Sequence, residues 1–431
     1  MSKEENRKNF SKYVSQNILG MIGFSCYVLA DSYFISIAKG ADGLTALNLV
    51  MPLYSIIFSI GEMIGVGSAI RYAISKIKKD ADADDYFWNA LIWCIMSSMI
   101  FVFAGIFFSA DIMRVLGADE HIVAVGNNYT KIFMCFAPMF MCNYVTNAFV
   151  RNDGAPGIAM SATLFSSLFN IVFDYILMFP MNLGMEGAAL ATALSPIIGM
   201  GICSIHFFSK KSSVRLVVCK PSVRKLVAGS QLGVSAFVGE MSSAVITLAF
   251  NFVILKLTGN VGVAAYGVVA NIAIVTTAVF NGVAQGSQPL ISSCFGRGDR
   301  DGCTQLKRMG YITAFVLAAV MYSILFIFAG QFVAVFNSEG SEMLRLYATE
   351  GVKLYFIGIF FAGINIVGGG AFSATEDAFK AAVVSVARGF VLILGAVFVM
   401  SALFGMTGVW LAYAVAEGIT TFIMLVMALR V

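Results

Sequence analysis

The stretch FNIVFDYIL, residues 169–177, places one aspartate inside a run of apolar residues. The run belongs to an apolar segment that we delimit as 156–180, long enough to cross the hydrocarbon core of a bilayer, which is about 30 Å thick. A second stretch, YVLADSYFI (27–35), surrounds Asp31 in the same way. Ionisable residues inside membrane helices are costly and usually mark ion or proton handling. The two stretches therefore predict a membrane protein that handles ions.

The composition extends this interpretation to the whole chain. Of 431 residues, 59% are hydrophobic and 12% are charged, whereas soluble proteins have about 25% charged residues. The apolar segments lack the alternation of period two that a transmembrane barrel requires, so they predict helices. The predicted fold is an all-α polytopic membrane protein with twelve transmembrane helices, at 14–36, 48–72, 87–109, 127–149, 156–180, 185–209, 229–255, 262–292, 308–330, 350–372, 379–401 and 406–429.

Basic residues are distributed unequally between alternate loops. The termini and the loops that follow even-numbered spans contain 21 Lys and Arg residues, and the other loops contain four. Three further basic residues, Lys131, Lys353 and Arg388, fall within spans or at their rims. Under the positive-inside rule, this asymmetry predicts that both termini are cytoplasmic.

Several protein classes are disfavoured by what the chain contains. Its eight cysteines lie mostly in spans or basic loops, and its two histidines, His121 and His206, are far apart. We therefore expect no disulfide framework, no histidine metal centre and no clustered site for an enzyme acting on lipid phosphates. The net charge of +4 is explained by membrane topology, so no nucleic-acid partner is expected. No motif typical of a channel filter is present.

The two halves of the chain repeat each other at a nearly constant offset. Gly61 and Gly65 correspond to residues 282 and 286, and the segment from Gly184 corresponds to that from Gly405, both at an offset of 221. GADGLTAL (40–47) resembles GNVGVAAY (259–266) at an offset of 219. We therefore predict two six-helix bundles, 1–209 and 229–431, joined by a basic cytoplasmic linker, 210–228. Such halves share one orientation and bind substrate between them. The glycines are also explained by close helix packing alone.

Four polar residues form the first candidate site. Asn170 and Asp174 lie one helical turn apart on one face. Counted from the predicted span ends, Asp31, Asp174 and Thr192 all lie roughly 9 to 11 Å below the outer rim. Two carboxylates, an amide and a hydroxyl suit Na⁺, and the carboxylates equally suit H⁺ exchange. The alternative is that these side chains only form hydrogen bonds between helices. No cofactor is expected beyond the coupling ion, H⁺ or Na⁺.

Three glutamates lie near the middle of predicted spans: Glu62, Glu240 and Glu417. Glu240 is a candidate for a second proton site or for a contact to a cationic substrate. Each is alternatively a buried, hydrogen-bonded acid that fixes helix packing. Arg388 is expected to pair with one of these acids, since an unpaired arginine inside a span is costly.

The chain resembles prokaryotic multidrug and toxic compound extrusion (MATE) transporters along nearly its whole length. The resemblance is carried by RNDGAPGIAMSATLFSSLFNIVFDYILMF (151–179), LGMEGAALAT (183–192), GSQLGVSAFVGE (229–240) and GVAQGSQPLISSCFGRGD (282–299). It implies two bundles arranged as a V in the cytoplasmic membrane of a bacterium or archaeon. It also implies export of organic cations and other amphipathic drugs in exchange for H⁺ or Na⁺.

The resemblance also concerns particular residues. Asp31, Asn170, Asp174 and Thr192 match the cation site of the first lobe in prokaryotic members. Some members carry a further acid in span 10, where this chain offers only Asn365. Asn365 joins Glu240 and Glu62 as a candidate for a substrate contact or a second proton site. We expect a monomer. The alternative function is a flippase for lipid-linked oligosaccharides or peptidoglycan precursors, which would favour basic residues in the central cavity.

Overall fold

The computed structural model describes residues 3–336 and 341–429, and all regular secondary structure in these ranges is helical. This confirms the all-α prediction. A 3-10 turn (Phe356–Gly358) joins α10 to α11, and a π-helical turn (Ala387–Val391) joins α12 to α13. The helices are α1 (Lys3–Lys78), α2 (Asp85–Val115), α3 (Glu120–Cys135), α4 (Ala137–Asn152), α5 (Pro156–Met178), α6 (Gly184–Phe207), α7 (Val223–Gly296), α8 (Arg300–Ile327), α9 (Ala329–Phe336), α10 (Glu342–Tyr355), α11 (Ile359–Ala374), α12 (Ala378–Val386) and α13 (Leu392–Leu429).

The number of membrane crossings follows from helix length and from breaks in the backbone. Ten segments of the described chain are long and apolar enough to cross a membrane, with α3 and α4, bent by 46°, counted as one. Two of the ten are too long for one crossing, namely α7 with 74 residues and Ala378–Ala428 with 51, because about 20 helical residues span 30 Å. Non-helical backbone divides them at Gly259 and Gly405. The described residues thus provide twelve crossings, in agreement with the sequence.

Equivalent glycines break the helices in the two halves. Gly40 divides α1 with φ +58° and ψ −142°, and Gly259 divides α7 with φ +67° and ψ −156°. Gly184 and Gly405 also have positive φ, +51° and +59°. Glycine adopts this conformation without the steric cost that other residues incur. The breaks lie at the same offsets, 219 and 221, as the sequence repeats, so the internal repeat is also present in the backbone. We call the parts of a helix before and after its break the first and second arms.

The outward-facing helix surfaces are apolar. Ile100 and Phe107 on α2 are 70% and 64% exposed, and Phe404 on α13 is 61% exposed. Side chains of this kind suit contact with lipid hydrocarbon. Inside, the largest cluster of buried apolar residues includes Phe250 and Trp410 of the second half. The division of the chain at 210–228 stays a prediction, and α7 begins within that segment, at Val223.

The backbones of the two halves touch where the second arm of α1 crosses the first arm of α7. A Cβ atom on Gly67 would lie 2.1 Å from the carbonyl oxygen of Gly229, and one on Gly233 would lie 2.0 Å from the carbonyl oxygen of Met63. Any side chain at either glycine would force the helices apart. We call this end of the molecule, which carries Lys3 and the linker, the inner end; that it faces the cytoplasm stays a prediction from the charge pattern.

Close packing also accounts for the repeat glycines in the middle of the helices, as the alternative interpretation proposed. A Cβ atom on Gly61 would lie 2.9 Å from Cα of Met141, within the first half. Its equivalent, Gly282, faces Ile18, whose Cα would lie 2.6 Å away. The second contact joins the second arm of α7 to the first arm of α1. Equivalent glycines therefore pack within one half in one case and between halves in the other.

The start of the linker is fixed to the first half by one buried carboxylate. Asp153 Oδ2 lies 2.8 Å from Nε2 of His206, at the end of α6, and accepts a 2.9 Å hydrogen bond from the backbone N–H of Ser213. The hydroxyl of Tyr72 donates to Asp153 Oδ1 at 3.2 Å. The inner ends of α1, α4 and α6 and the linker therefore meet at a single side chain.

Candidate functional site

Three of the four residues of the first candidate site lie together between α5 and α6. The side-chain amide of Asn170 lies 3.1 Å from the hydroxyl of Thr192. In the amide orientation that satisfies all its neighbours, Asn170 also donates to Asp174 Oδ2 at 3.1 Å and accepts from the backbone N–H of Thr192 at 3.2 Å. All three residues are at most 1% exposed. The spacing of four residues between Asn170 and Asp174 thus places both groups in one polar cluster.

Asp31 faces this cluster from the first arm of α1. It is 6% exposed, and its carboxylate lies within electrostatic range of Asp174. Both carboxylates also lie within electrostatic range of the buried side chains of Tyr27 and Tyr54. The hydroxyl of Tyr54 shares a hydrogen bond with that of Tyr129. The structure therefore brings Asp31 to the same buried region as Asp174, as the depth argument predicts.

The oxygen atoms of this region retain capacity for a ligand. Oδ1 of Asp31 and Oδ1 of Asp174 are both buried, and neither has a hydrogen-bond partner in the described part of the chain. A buried carboxylate oxygen without a partner is costly unless it is protonated or ligates a cation. Two carboxylates with an amide and a hydroxyl form a set of hard oxygen donors, which suits Na⁺ or exchangeable protons. We call Asp31, Asn170, Asp174 and Thr192 the cation cluster.

A polar cavity lies deeper in the molecule, between the two halves, with a volume of about 110 Å³. Glu62 and Glu240, both predicted as functional acids, line it from opposite halves. Drug-sized ligands occupy pockets of roughly 300 Å³ or more, so the cavity must enlarge before such a ligand fits. Its other polar lining residues include Asn143, Asn147, Asn281 and Gln285, and its apolar lining residues include Met21, Phe24, Phe58, Phe140 and Tyr144.

Arg151 also lines the cavity, contrary to the sequence prediction. Position 151 falls in the predicted loop between the spans 127–149 and 156–180, whereas α4 continues to Asn152 and Arg151 is only 4% exposed. Asn143, Asn147 and Arg151 follow one another at intervals of four residues, which places them on one face of α4. This spacing was the available signal for a polar helix face directed inward.

Asn365, the remaining candidate, lies in a separate cluster of the second half. Its Nδ2 donates to Glu417 Oε2 at 2.7 Å, and its Oδ1 accepts from the hydroxyl of Thr421 at 3.0 Å. Arg388, in the π-helical turn, forms an ion pair with Glu417 at 2.6 Å. The prediction that Arg388 pairs with one of the acids is therefore confirmed. This cluster of the second half shares no residue with the cation cluster or with the described lining of the cavity.

The chain is similar to proteins of one known family along most of its length. The sequence profile of the MatE family matches residues 17–176 and again residues 236–399. The chain belongs to the MATE family. The starts of the two matched segments, at positions 17 and 236, are separated by the offset of 219 already found in the internal repeat. The fold and the family membership together make the chain a multi-pass MATE-type transporter.

The chain is similar to multidrug export proteins of staphylococci. The multidrug export protein MepA of Staphylococcus aureus (strain MRSA252) is 27% identical over 414 residues, covering 93% of this chain and 89% of the relative. MepA of Staphylococcus saprophyticus is 26% identical over 405 residues, with the same coverage.

Solved MATE structures share the fold. A MATE transporter of the MOP superfamily in an outward-facing conformation matches with a TM-score of 0.92 at 20% identity, covering 99% of this chain and 96% of the other. A MOP superfamily transporter from Pyrococcus furiosus, described by a binding pocket of reverse polarity, matches with a TM-score of 0.91 at 19% identity, covering 99% and 95%. At these identities the likeness establishes the arrangement of helices.

Proposed function

We propose that this MATE protein is an antiporter that exports amphipathic drugs, including organic cations, in exchange for H⁺ or Na⁺. The observation that carries the proposal is the pair of buried, unpartnered carboxylate oxygens of Asp31 and Asp174. These lie in the first half, apart from a cavity that both halves line. Separate places for an ion and a substrate are what an exchange mechanism requires. The multidrug export role of the MepA relatives supports the choice of substrate.

The proposed mechanism depends on which ligand, the ion or the drug, each conformational state binds more tightly. When the cation cluster is empty, its carboxylates repel each other in a medium of low dielectric constant. Entry of H⁺ or Na⁺ removes that repulsion and lets the first arm of α1 pack more closely against α5. An ion shifts a conformational equilibrium only through a difference in its affinity for the two states. We infer that ion occupancy disfavours the state that holds the drug, so that the drug leaves on the outer side.

Alternating access requires the inner end to open and close. At this end the halves are in contact through the backbones of Gly67 and Gly233, so opening requires these two helices to separate. Opening there would expose the cavity to the cytoplasm. The proposal places the protein in the cytoplasmic membrane of a bacterium or archaeon, as a monomer with both termini inside.

The alternative, a flippase for lipid-linked sugars, requires a cavity that can bind pyrophosphate. Repeated arginine and lysine side chains are suited to that ligand. Among the described residues that line the cavity, one arginine faces two glutamates. The balance of charge therefore favours a substrate that carries positive charge.

The test uses the full chain reconstituted in proteoliposomes loaded with ethidium or norfloxacin. Export is measured under a Na⁺ gradient alone and under a pH gradient alone, with an ionophore that collapses each gradient as the control. We expect one of the two gradients to drive export and its ionophore to abolish it. Export that is indifferent to both gradients would contradict ion coupling, and absence of drug export would contradict the proposed substrate class.

A further inference from the structure

Arg151 is a buried cation that forms no direct ion pair in the described part of the chain. Its Nη1 donates to Oε1 of Gln285 at 2.6 Å, and no other hydrogen bond or ion pair of its guanidinium occurs in the described part of the chain. Its Nε is buried and has no partner. A guanidinium has five N–H donors, and an unpaired arginine within a membrane protein is costly. The guanidinium therefore keeps donors available for an anionic group.

The side-chain amide of Gln285 lies between Arg151 and the carboxylate of Glu62. Gln285 accepts from Arg151 and donates through Nε2 to Oε1 of Glu62 at 3.4 Å. Arg151 and Glu62 both belong to the first half, and Gln285 reaches between them from the second. A neutral side chain thus bridges two opposite charges, so that each charge keeps capacity for a ligand. Glu240 faces the same cavity from the second half.

The geometry of the guanidinium specifies the ligand. Because Gln285 occupies Nη1, the edge formed by Nε and Nη2 carries no hydrogen bond in the described residues. This edge presents two parallel N–H groups, the arrangement that binds a carboxylate in a bidentate manner. Oδ1 of Asn143, two turns earlier on the same face of α4, is also buried and unpartnered.

The aromatic side chains that line the cavity favour a ligand with a flat apolar ring system. Phe24, Phe58, Phe140 and Tyr144 line it, and aromatic rings pack well against other rings in offset or edge-on arrangements. The cavity thus offers an arginine, two glutamates and aromatic walls. These features together match an aromatic molecule that carries both a carboxylate and an amine.

We propose that Arg151 is a carboxylate-binding subsite that lets this transporter take aromatic zwitterions as well as simple cations. The carboxylate of the substrate binds the Nε and Nη2 edge of Arg151, and its protonated amine lies near Glu62 or Glu240. The inference rests on the proposed drug transport. When the halves separate, Gln285 withdraws from Arg151 and frees a further donor for the substrate. Arg151 then acts as a residue that determines specificity.

The test compares two probes that differ only at the carboxyl group. Norfloxacin is an aromatic zwitterion, and its ethyl ester keeps the ring and the amine but lacks the negative charge. Their binding to the purified full chain in lipid nanodiscs is measured by equilibrium dialysis. We expect the wild-type protein to bind the acid more tightly than the ester. Arg151→Gln should weaken binding of the acid about tenfold or more, the range for a lost hydrogen bond to a charged group, and should leave the ester nearly unchanged.

Two further variants separate ligand binding from a structural role. Arg151→Lys retains the charge without the planar fork, so it should retain part of the preference for the acid. Gln285→Ala removes the contact between halves and leaves Arg151 in place, so it should keep the preference for the acid over the ester. An equal loss for both probes in Arg151→Gln, or a wild-type protein without preference, would overturn the subsite. Binding is measured without transport, so a protein that binds both probes but exports neither would still show whether the subsite exists. Failure of the proposed export and failure of the subsite therefore give different results.

Discussion

Arg71, on the second arm of α1, donates a hydrogen bond from Nη1 to Oε1 of Glu376, in the turn between α11 and α12. The contact joins the two halves at the inner end, and Nζ of Lys78 lies 3.5 Å from the other carboxylate oxygen. Glu376 has a φ of +61°, in the left-handed region. Gly154 has positive φ in the equivalent turn of the first half. A non-glycine residue in this conformation costs about 1 to 2 kcal/mol.

The ion pair offers a physical reason for glutamate at a position where glycine would be easier to accommodate. We expect Glu376→Gln to weaken closure of the inner end. Because the side chains of Arg71 and Glu376 are 24% and 22% exposed, the pair contributes about 0.5 to 1 kcal/mol, and its loss should raise the open population about twofold to fivefold. The measurement is the distance distribution between spin labels at Lys79 and Arg300 in a variant without native cysteines.

The charge-swapped double variant, Arg71→Glu with Glu376→Arg, is the matched control. It should restore the closed distribution because it restores the pair with reversed polarity. If the distances in Glu376→Gln equal those of the parent, the contact does not contribute to closure.

The buried ion pair of the second half should matter mainly for stability. Glu417 is 2% exposed and binds both Arg388 and Asn365. Removing one partner leaves an uncompensated charge, which costs about 3 to 5 kcal/mol. Glu417→Ala should therefore lower the apparent melting temperature strongly, whereas Arg388→Met with Glu417→Met should lower it less than Glu417→Ala does. Thermal unfolding in detergent measures both, and equal effects would argue against a buried, coupled pair.

We expect the stability of the folded protein to depend on pH through one ion pair at the turn between α1 and α2. Oδ2 of Asp82 lies 3.1 Å from Nζ of Lys225, and the hydrogen bond from Lys225 lowers the pKa of Asp82 below its usual range. A lowered pKa stabilises the folded state above the unfolded pKa of about 3.9, and the effect is lost as the pH falls through the folded pKa. Since Asp82 is 60% exposed, we expect less than about 0.5 kcal/mol.

The corresponding experiment compares Asp82→Asn with the parent at two pH values. The variant should melt slightly below the parent at pH 6, and the difference should be smaller at pH 3. A difference that is the same at both values would show that the charge of Asp82 does not contribute.

Spans and candidate acids could be predicted from the sequence because both depend on local patterns. The lengths of the apolar segments predicted the twelve crossings, and the spacing of four residues predicted that Asn170 and Asp174 share a helix face. The bend of 46° between α3 and α4 lies beside Pro138, and proline inside an apolar run is a sequence signal for a bend because it breaks the helical hydrogen-bond ladder. The sequence did not reveal the close contact of Gly67 with Gly233, which depends on how two distant helices cross.

The two arginines illustrate the same limit. Arg388 was expected to pair with an acid, but Glu62, Glu240 and Glu417 were equivalent by depth, and the tertiary packing alone selects Glu417. Arg151 was assigned to a loop because a charged residue after an apolar run usually ends the span. Its hydrogen-bond partner Gln285 lies 134 residues away in the chain, which no local pattern indicates.

The central claim is that the buried carboxylates of Asp31 and Asp174 couple ion entry to drug export. The most direct measurement is gradient-driven export from proteoliposomes that contain Asp31→Asn or Asp174→Asn. Asp111→Asn is the matched control, because Asp111 is 63% exposed at the outer end of α2. We expect the two buried variants to lose gradient-driven export at least about tenfold and to keep drug binding, with the control unchanged. Gradient-driven export at the wild-type rate in both buried variants would contradict the claim.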